Sequence, residues 1–188
     1  MPYVDAPPME DPGPTCQEWV AAALNSHEAQ LLRYAHRITG CADRARDVVQ
    51  ETFLKLCHQD PQTLNGRLVQ WLYTVCRNQA LDVRRKESRR PRLTDETLAV
   101  QTEQRDTDPV PSITTRDLAR WVLVVIDELP GNQRECLRLK FQSGLSYAEI
   151  SATTGLSESN VGFLIHIGLK TVKERLRRTP DYRKQHDL

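Results

Sequence analysis

Residues 146–160 read SYAEISATTGLSESN, and this stretch leaves the chain few folds to choose from. Ser146 and Glu149 stand at S-x-x-E spacing, a capping box in which each side chain satisfies a backbone N–H that the first turn of a helix leaves unpaired. Gly155 then offers the left-handed corner that a side chain would resist. Ser157 caps a second helix at once. Ile150 lies before the corner, Leu156 plugs it, and Val161 and Leu164 return apolar side chains toward the first helix. The spacing predicts a tight helix-turn-helix.

That geometry exposes Ser157, Glu158, Ser159, Asn160 and Phe163 at the start of the second helix. Residues at this place in the motif reach base edges in the major groove. Asparagine suits adenine, and serine pairs with several bases. Lys170, Lys173, Arg175, Arg177 and Arg178 follow on the same helix, where phosphate contacts would set affinity. The bland alternative is a helical hairpin that never meets DNA. The basic second half of the helix favours nucleic acid.

Elsewhere the chain shows helical periodicity broken by loops. Residues 1–16 are rich in proline and acid and are expected to be flexible. Leu31, Leu32, Ala35 and Ile38 then mark one face of a helix that Gly40 stops. A second helix, over about 42–58, repeats Ala45, Val48, Val49, Thr52, Phe53 and Leu56 in three- and four-residue steps. After the DPQTLNG loop, a third helix over roughly 66–88 turns Leu68, Trp71, Leu72, Val75, Cys76, Ala80 and Val83 inward. The pattern fails over 89–115, where proline and acid mark a linker. It resumes at Arg116 with Leu118, Val122, Val125 and Ile126, and a further helix is expected over about 133–141. The expected fold is all-α: two small helical domains joined by a flexible linker, the C-terminal one containing the helix-turn-helix. The expected boundaries are a flexible segment over 1–16, a domain over 17–90, a linker over 91–115, a domain over 116–178 and a tail over 179–188.

Composition excludes several function classes. Of 188 residues 27% are charged and 39% hydrophobic, as in an ordinary soluble protein. No apolar run approaches the roughly 18 residues of a membrane span. The start MPYVDAPPMEDPGP lacks the basic end and apolar core of a signal peptide, so a cytoplasmic protein without membrane insertion is expected. The five cysteines are odd in number, widely spaced and without a CxxC pair, and the five histidines are scattered. Neither a disulfide framework nor a metal site is expected from such spacing. No nucleophile–base pair, phosphate loop or cofactor motif argues for catalysis. Net charge is only +1, but its distribution is informative. Every charged side chain over residues 1–30 is acidic, whereas basic residues crowd 77–92 and 170–184. Two basic patches suggest two contacts with one polyanion.

Three segments together resemble the extracytoplasmic-function (ECF) sigma factors, promoter-specificity subunits of bacterial RNA polymerase. ARDVVQETFLKLCHQ resembles the family's core-polymerase-binding segment, whose usual form is close to DLVQETFL. WLYTVCRNQALDVRRK resembles the segment that handles the upstream end of the melted promoter. LPGNQRECLRLKFQSGLSYAEISATTGLSESNV resembles the C-terminal helix-turn-helix domain. The resemblance covers most of residues 25–178. It implies a protein with no enzymatic activity of its own, which binds core polymerase, recognises a two-part promoter and assists its opening.

The resemblance also implies residue roles. Asp47, Gln50, Glu51 and Leu54 repeat opposite the core stripe of the second helix, and a leucine ringed by carboxylates and an amide suits a protein partner. By resemblance that partner is the clamp helices of the polymerase's largest subunit. Arg77, Asn78, Arg84, Arg85 and Lys86 lie away from the apolar face of the third helix, as a phosphate track with a base contact would. The family role implies that Asn78 and the 60–66 loop hold a base flipped from the melted minus-ten element. Trp71 and Tyr73 invite stacking on bases, although Trp71 also lies on the apolar stripe, which favours core packing. Ser157, Glu158, Ser159, Asn160, Phe163, Lys170 and Lys173 would meet the duplex minus-thirty-five element. The linker is a tether, or by family likeness an acidic thread through the polymerase cleft. An anti-sigma factor is a candidate further partner. One departure stands out: the family often continues its recognition helix with a basic cluster, close to TVKSRL, where this chain has Gly162, Phe163 and Leu164. Two other readings compete, a stand-alone regulator binding duplex operators and a helical adaptor without DNA binding. The first lacks a dimerisation face, and the second leaves both basic patches unexplained.

Overall fold

The computed structural model describes residues 16–89 and 115–178, which form seven α-helices. The expected N-terminal segment, apart from Cys16, lies outside the described residues, as do nearly all of the linker and the tail. The chain divides into two units, with the boundary after Arg85 in the last turn of the third helix, which is described whole with the first unit.

In the first unit, α1 (Cys16–Thr39), α2 (Ala42–Leu56) and α3 (Leu68–Ser88) enclose one core. The six apolar positions expected on α2 are all buried: Ala45, Val48, Val49, Thr52, Phe53 and Leu56. Leu31, Tyr34 and Ala35 of α1 are buried too. The rings of Tyr34 and Tyr73 meet edge to face, centroids 5.1 Å apart, the arrangement that aromatic quadrupoles favour. The Tyr73 hydroxyl donates to Gln30 Oε1 at 3.4 Å. Between α2 and α3, the Gln79 amide, turned so that both of its ends are satisfied, donates to the Val48 carbonyl and accepts from Lys55 Nζ, both at 3.0 Å. The inward face of α3 differs from expectation. Leu72, Tyr73, Cys76 and Ala80 are buried, whereas Leu68, Trp71, Val75 and Val83 are only half-buried. The contacts of Tyr73 with Tyr34 and Gln30 fix this rotation of α3, and Tyr73, 2% exposed, is buried too deeply to stack on a base.

In the second unit, α4 (Thr115–Asp127), α5 (Gly131–Phe141), α6 (Tyr147–Thr154) and α7 (Glu158–Arg178) surround Leu137, Leu139, Leu145, Ile150, Val161 and Ile165. The buried stripe of α7 runs through Val161, Ile165, Gly168 and Val172, so Leu164, expected inward, is half-buried. Gly168 explains the stripe. A Cβ there would lie 2.7 Å from Leu137 Cδ1, so the bare backbone lets α7 approach α5 more closely than a side chain would permit. Arg138 of α5 is only 4% exposed and forms an ion pair with Asp127, at the end of α4. Arg134 Nη1 donates to the Asp127 carbonyl at 2.6 Å. Two arginines thus pin the end of α4 to α5, with the Arg138 side chain buried and the Asp127 carboxylate half-exposed.

Candidate functional site

The corner of the second unit is built by side-chain hydrogen bonds to the backbone. Ser146 Oγ accepts from the Glu149 N–H at 3.2 Å, and Glu149 Oε2 accepts from the Ser146 N–H at 2.7 Å. The Ser146 hydroxyl also donates to Glu149 Oε2 at 2.6 Å. The bonds from the Ser146 side chain and backbone, with a smaller contribution from the charge of Lys140, hold the Glu149 carboxyl below the usual carboxylate range. Gly155 sits at φ 77°, in the left-handed region, and its N–H donates to the Ser151 carbonyl at 2.8 Å. Across the corner, the Ser151 hydroxyl donates to the Leu156 carbonyl at 2.6 Å. Ser157 Oγ accepts from the Asn160 N–H at 3.3 Å and caps α7.

This corner leaves Glu158, Ser159 and Asn160 exposed on the first turn of α7, with Phe163 exposed one turn further. Lys170 and Lys173 are exposed farther along. Arg175 pairs with Glu128, so it is engaged within the unit. Two contributors on other helices escaped the sequence reading. The Tyr147 ring lies over Gly162, its Cε2 3.6 Å from where a Cβ would stand. Lys140 Nζ is 5.4 Å from the centroid of that ring, within cation–π range. A glycine inside a helical pattern was the available signal, because it often marks a close approach by another group.

In the first unit, Asp47, Gln50, Glu51 and Leu54 are exposed together on the outer face of α2, and Leu54 is 51% exposed. Gln50 and Leu54 also border a groove of about 530 Å³ between α1 and α2, whose α1 wall includes Val20, Leu24 and Leu32. Leu32 belongs to the apolar face expected of this helix, whereas Val20 and Leu24 were missed by sequence reasoning, although their four-residue spacing was the available signal. On α3, Asn78, Arg84, Arg85 and Lys86 are exposed, and Arg77 is half-buried. Arg85 Nη1 meets Asp82 Oδ1 at 3.0 Å, an exposed pair of little energetic weight. The 60–66 loop is ordered by Asp60, whose Oδ1 accepts from the Gln62 N–H at 2.9 Å and whose carbonyl accepts from the Thr63 hydroxyl at 2.8 Å.

Among the described residues no His, Cys, Asp and Glu cluster could hold a metal ion, and no helix is long and apolar enough to cross a membrane.

Comparison with known proteins agrees with this division. Sigma-70 region 2 matches residues 23–90, and Sigma-70 region 4 matches residues 119–172. The ECF RNA polymerase sigma factor SigL of Mycobacterium tuberculosis is 31% identical over 155 residues, covering 81% of this chain and 85% of that protein. SigE of Mycolicibacterium smegmatis, also an ECF sigma factor, is 30% identical over 157 residues, covering 81% of this chain and 60% of that protein. Among solved structures, the sigma factor RpoE of Bartonella quintana, co-crystallised with the anti-sigma factor NepR, shares the fold. Its TM-score is 0.53 at 22% identity, over 84% of this chain and 96% of that one.

Proposed function

The chain belongs to the ECF sigma factors, and from that membership we infer how its two units share the work of a promoter-specificity subunit. A sigma factor binds core RNA polymerase and promoter DNA and performs no chemistry itself, so every functional residue is a contact residue. We assign residues 17–90 to polymerase and minus-ten contacts and residues 116–178 to the minus-thirty-five contact.

Polymerase binding falls to the outer face of α2. The observation that carries this assignment is Leu54, a half-exposed leucine surrounded by Asp47, Gln50 and Glu51 on a helix whose opposite face is core. An apolar centre inside a polar rim is the composition of a protein interface. Its partner would be the clamp helices of the largest polymerase subunit. Because α2 is held by six buried side chains, its outer face is presented rigidly and little ordering cost remains for binding.

The outer face of α3 supports a second contact. Asn78, Arg84, Arg85 and Lys86, with Arg77 at the margin, would follow the phosphates of the melted minus-ten strand, while the ordered 60–66 loop and Asn78 hold a flipped base. In the other unit, Ser157, Glu158, Ser159, Asn160 and Phe163 would face base edges of the duplex minus-thirty-five element, with Lys170 and Lys173 on its phosphates. The protein would act in the cytoplasm, where polymerase meets the chromosome, and an anti-sigma factor is a further partner we propose for it.

Replacing Asp47, Gln50 and Leu54 together with alanine tests the central assignment. Association with core polymerase is expected to weaken roughly tenfold or more, with helicity by circular dichroism unchanged. Unaltered association would remove α2 from the interface.

A further inference from the structure

Over residues 157–169 the chain carries no lysine or arginine, and the first cation of α7 is Lys170. Guanine is read in the major groove chiefly by arginine or lysine, so the start of α7 lacks the usual side chain for it. What projects there instead is Phe163, 61% exposed. It lies one turn after Ser159 and two turns before Lys170 on one helix, so an apolar tip and a cationic stretch share a single element. Its neighbour Gly162 has no side chain, and the Tyr147 ring rests against that bare backbone with the Lys140 ammonium near its face. The helix surface at Gly162, next in sequence to Phe163, is therefore covered by an aromatic ring rather than by a mobile charged chain.

A large ring held out in water gains by burial. A surface that offers an apolar contact beside a line of phosphates is the major groove at a thymine, whose C5-methyl group is the apolar point of the groove's code. Charge complementarity favours this occupant, because Lys170 and Lys173 stay exposed on the same helix. We propose that Phe163 is a specificity-determining residue that reads the C5-methyl group of a thymine in the upstream promoter element. This inference rests on the assignment of α7 to that element.

The test uses the full chain assembled with core polymerase and promoter fragments randomised across the upstream element. In the enriched sequence each thymine is replaced in turn by deoxyuridine, which removes only the methyl group. One position is expected to lose about fourfold in affinity, the worth of one buried methyl. Phe163→Ala should bind more weakly and be indifferent to uracil at that position, while Phe163→Leu should keep part of the methyl dependence. Because Phe163 is exposed, circular dichroism should be unchanged in both variants. A flat uracil scan on a clearly enriched element, or an equal uracil penalty in Phe163→Ala, overturns the methyl reading and leaves the DNA assignment standing. Failure to enrich any element overturns both. A Phe163→Ala variant that loses polymerase association instead of sequence preference makes the phenyl a protein contact and also overturns the proposal.

Discussion

The two units hold their proposed contact surfaces in place by different physics. In the first, each surface is the back of a core helix. The stripe of Ala45, Val48, Val49, Thr52, Phe53 and Leu56 anchors α2, and Asp47, Gln50, Glu51 and Leu54 face the other way. In the second, the surface depends on a corner between the short α6 and α7, built from one capping box, one left-handed glycine and one N-cap serine. Packing fixes a surface through many weak contacts. Turn chemistry fixes it through a few hydrogen bonds and one backbone conformation. The first unit should therefore yield to cavities and the second to single polar or glycine changes.

The largest effect is expected in the first unit. Leu72 is fully buried, and Leu72→Ala should cost about 2–5 kcal/mol. Hydrogen exchange should accelerate at amides of α1–α3 and leave α5–α7 unchanged. Equal acceleration in both units would erase the contrast. Next comes Gly155→Ala in the second unit. Nothing lies within 4 Å of the added Cβ, so the cost is purely conformational, about 1–2 kcal/mol for a side chain in the left-handed region. Chemical denaturation followed in the α6–α7 amides should read it. Gly168→Ala is the control for sterics, because its Cβ would meet Leu137 at 2.7 Å.

Ser146→Ala should cost about 1 kcal/mol by removing the cap. It should also change the acid limb of stability. The Glu149 carboxyl is held below its ordinary 4.5 in the folded chain. The unfolded state therefore binds the proton first, so the stabilisation is present above that ordinary value and is lost as pH falls through the lower folded value. Ser146→Ala should flatten this part of the pH profile, and an unchanged profile would detach Glu149 from the corner.

The smallest expected change in stability, within about 0.5 kcal/mol, follows alkylation of Cys57, an exposed thiol on the α1–α2 groove. Cys76 should resist the same reagent, because burial pushes its thiol up to about 12. Since that pKa is raised on folding, its contribution to stability is complete below the ordinary 9.0 and is lost as pH rises from there toward about 12. Mass mapping of the labelled thiols checks the order of reaction. Polymerase association of the Cys57-labelled chain should fall if the groove borders the interface.

Much of this was legible in the residues, for a physical reason. Capping boxes, left-handed glycines and three- or four-residue apolar spacing are relations between near neighbours, and near neighbours are what a sequence displays. The six buried positions of α2 and the whole Ser146–Gly155–Ser157 corner were therefore readable in advance. The third helix was less so, since its spacing placed Trp71 and not Tyr73 on the apolar stripe, whereas Tyr73 is buried and Trp71 only half-buried. Only the encounter of Tyr73 with Tyr34 and Gln30 decides which ring is buried.

What the chain alone determined is the list of helices, their ends and the polarity of their faces, because those depend on interactions within about one helical turn. Tertiary structure alone decided the rotation of α3, the run of the α7 stripe through Ile165 rather than Leu164, the Arg138–Asp127 pair, the α1 wall of the groove, and the seat of Tyr147 on Gly162. Each of these joins residues on different helices. Their mutual distance is set by how whole faces fit together, and no local pattern encodes that fit.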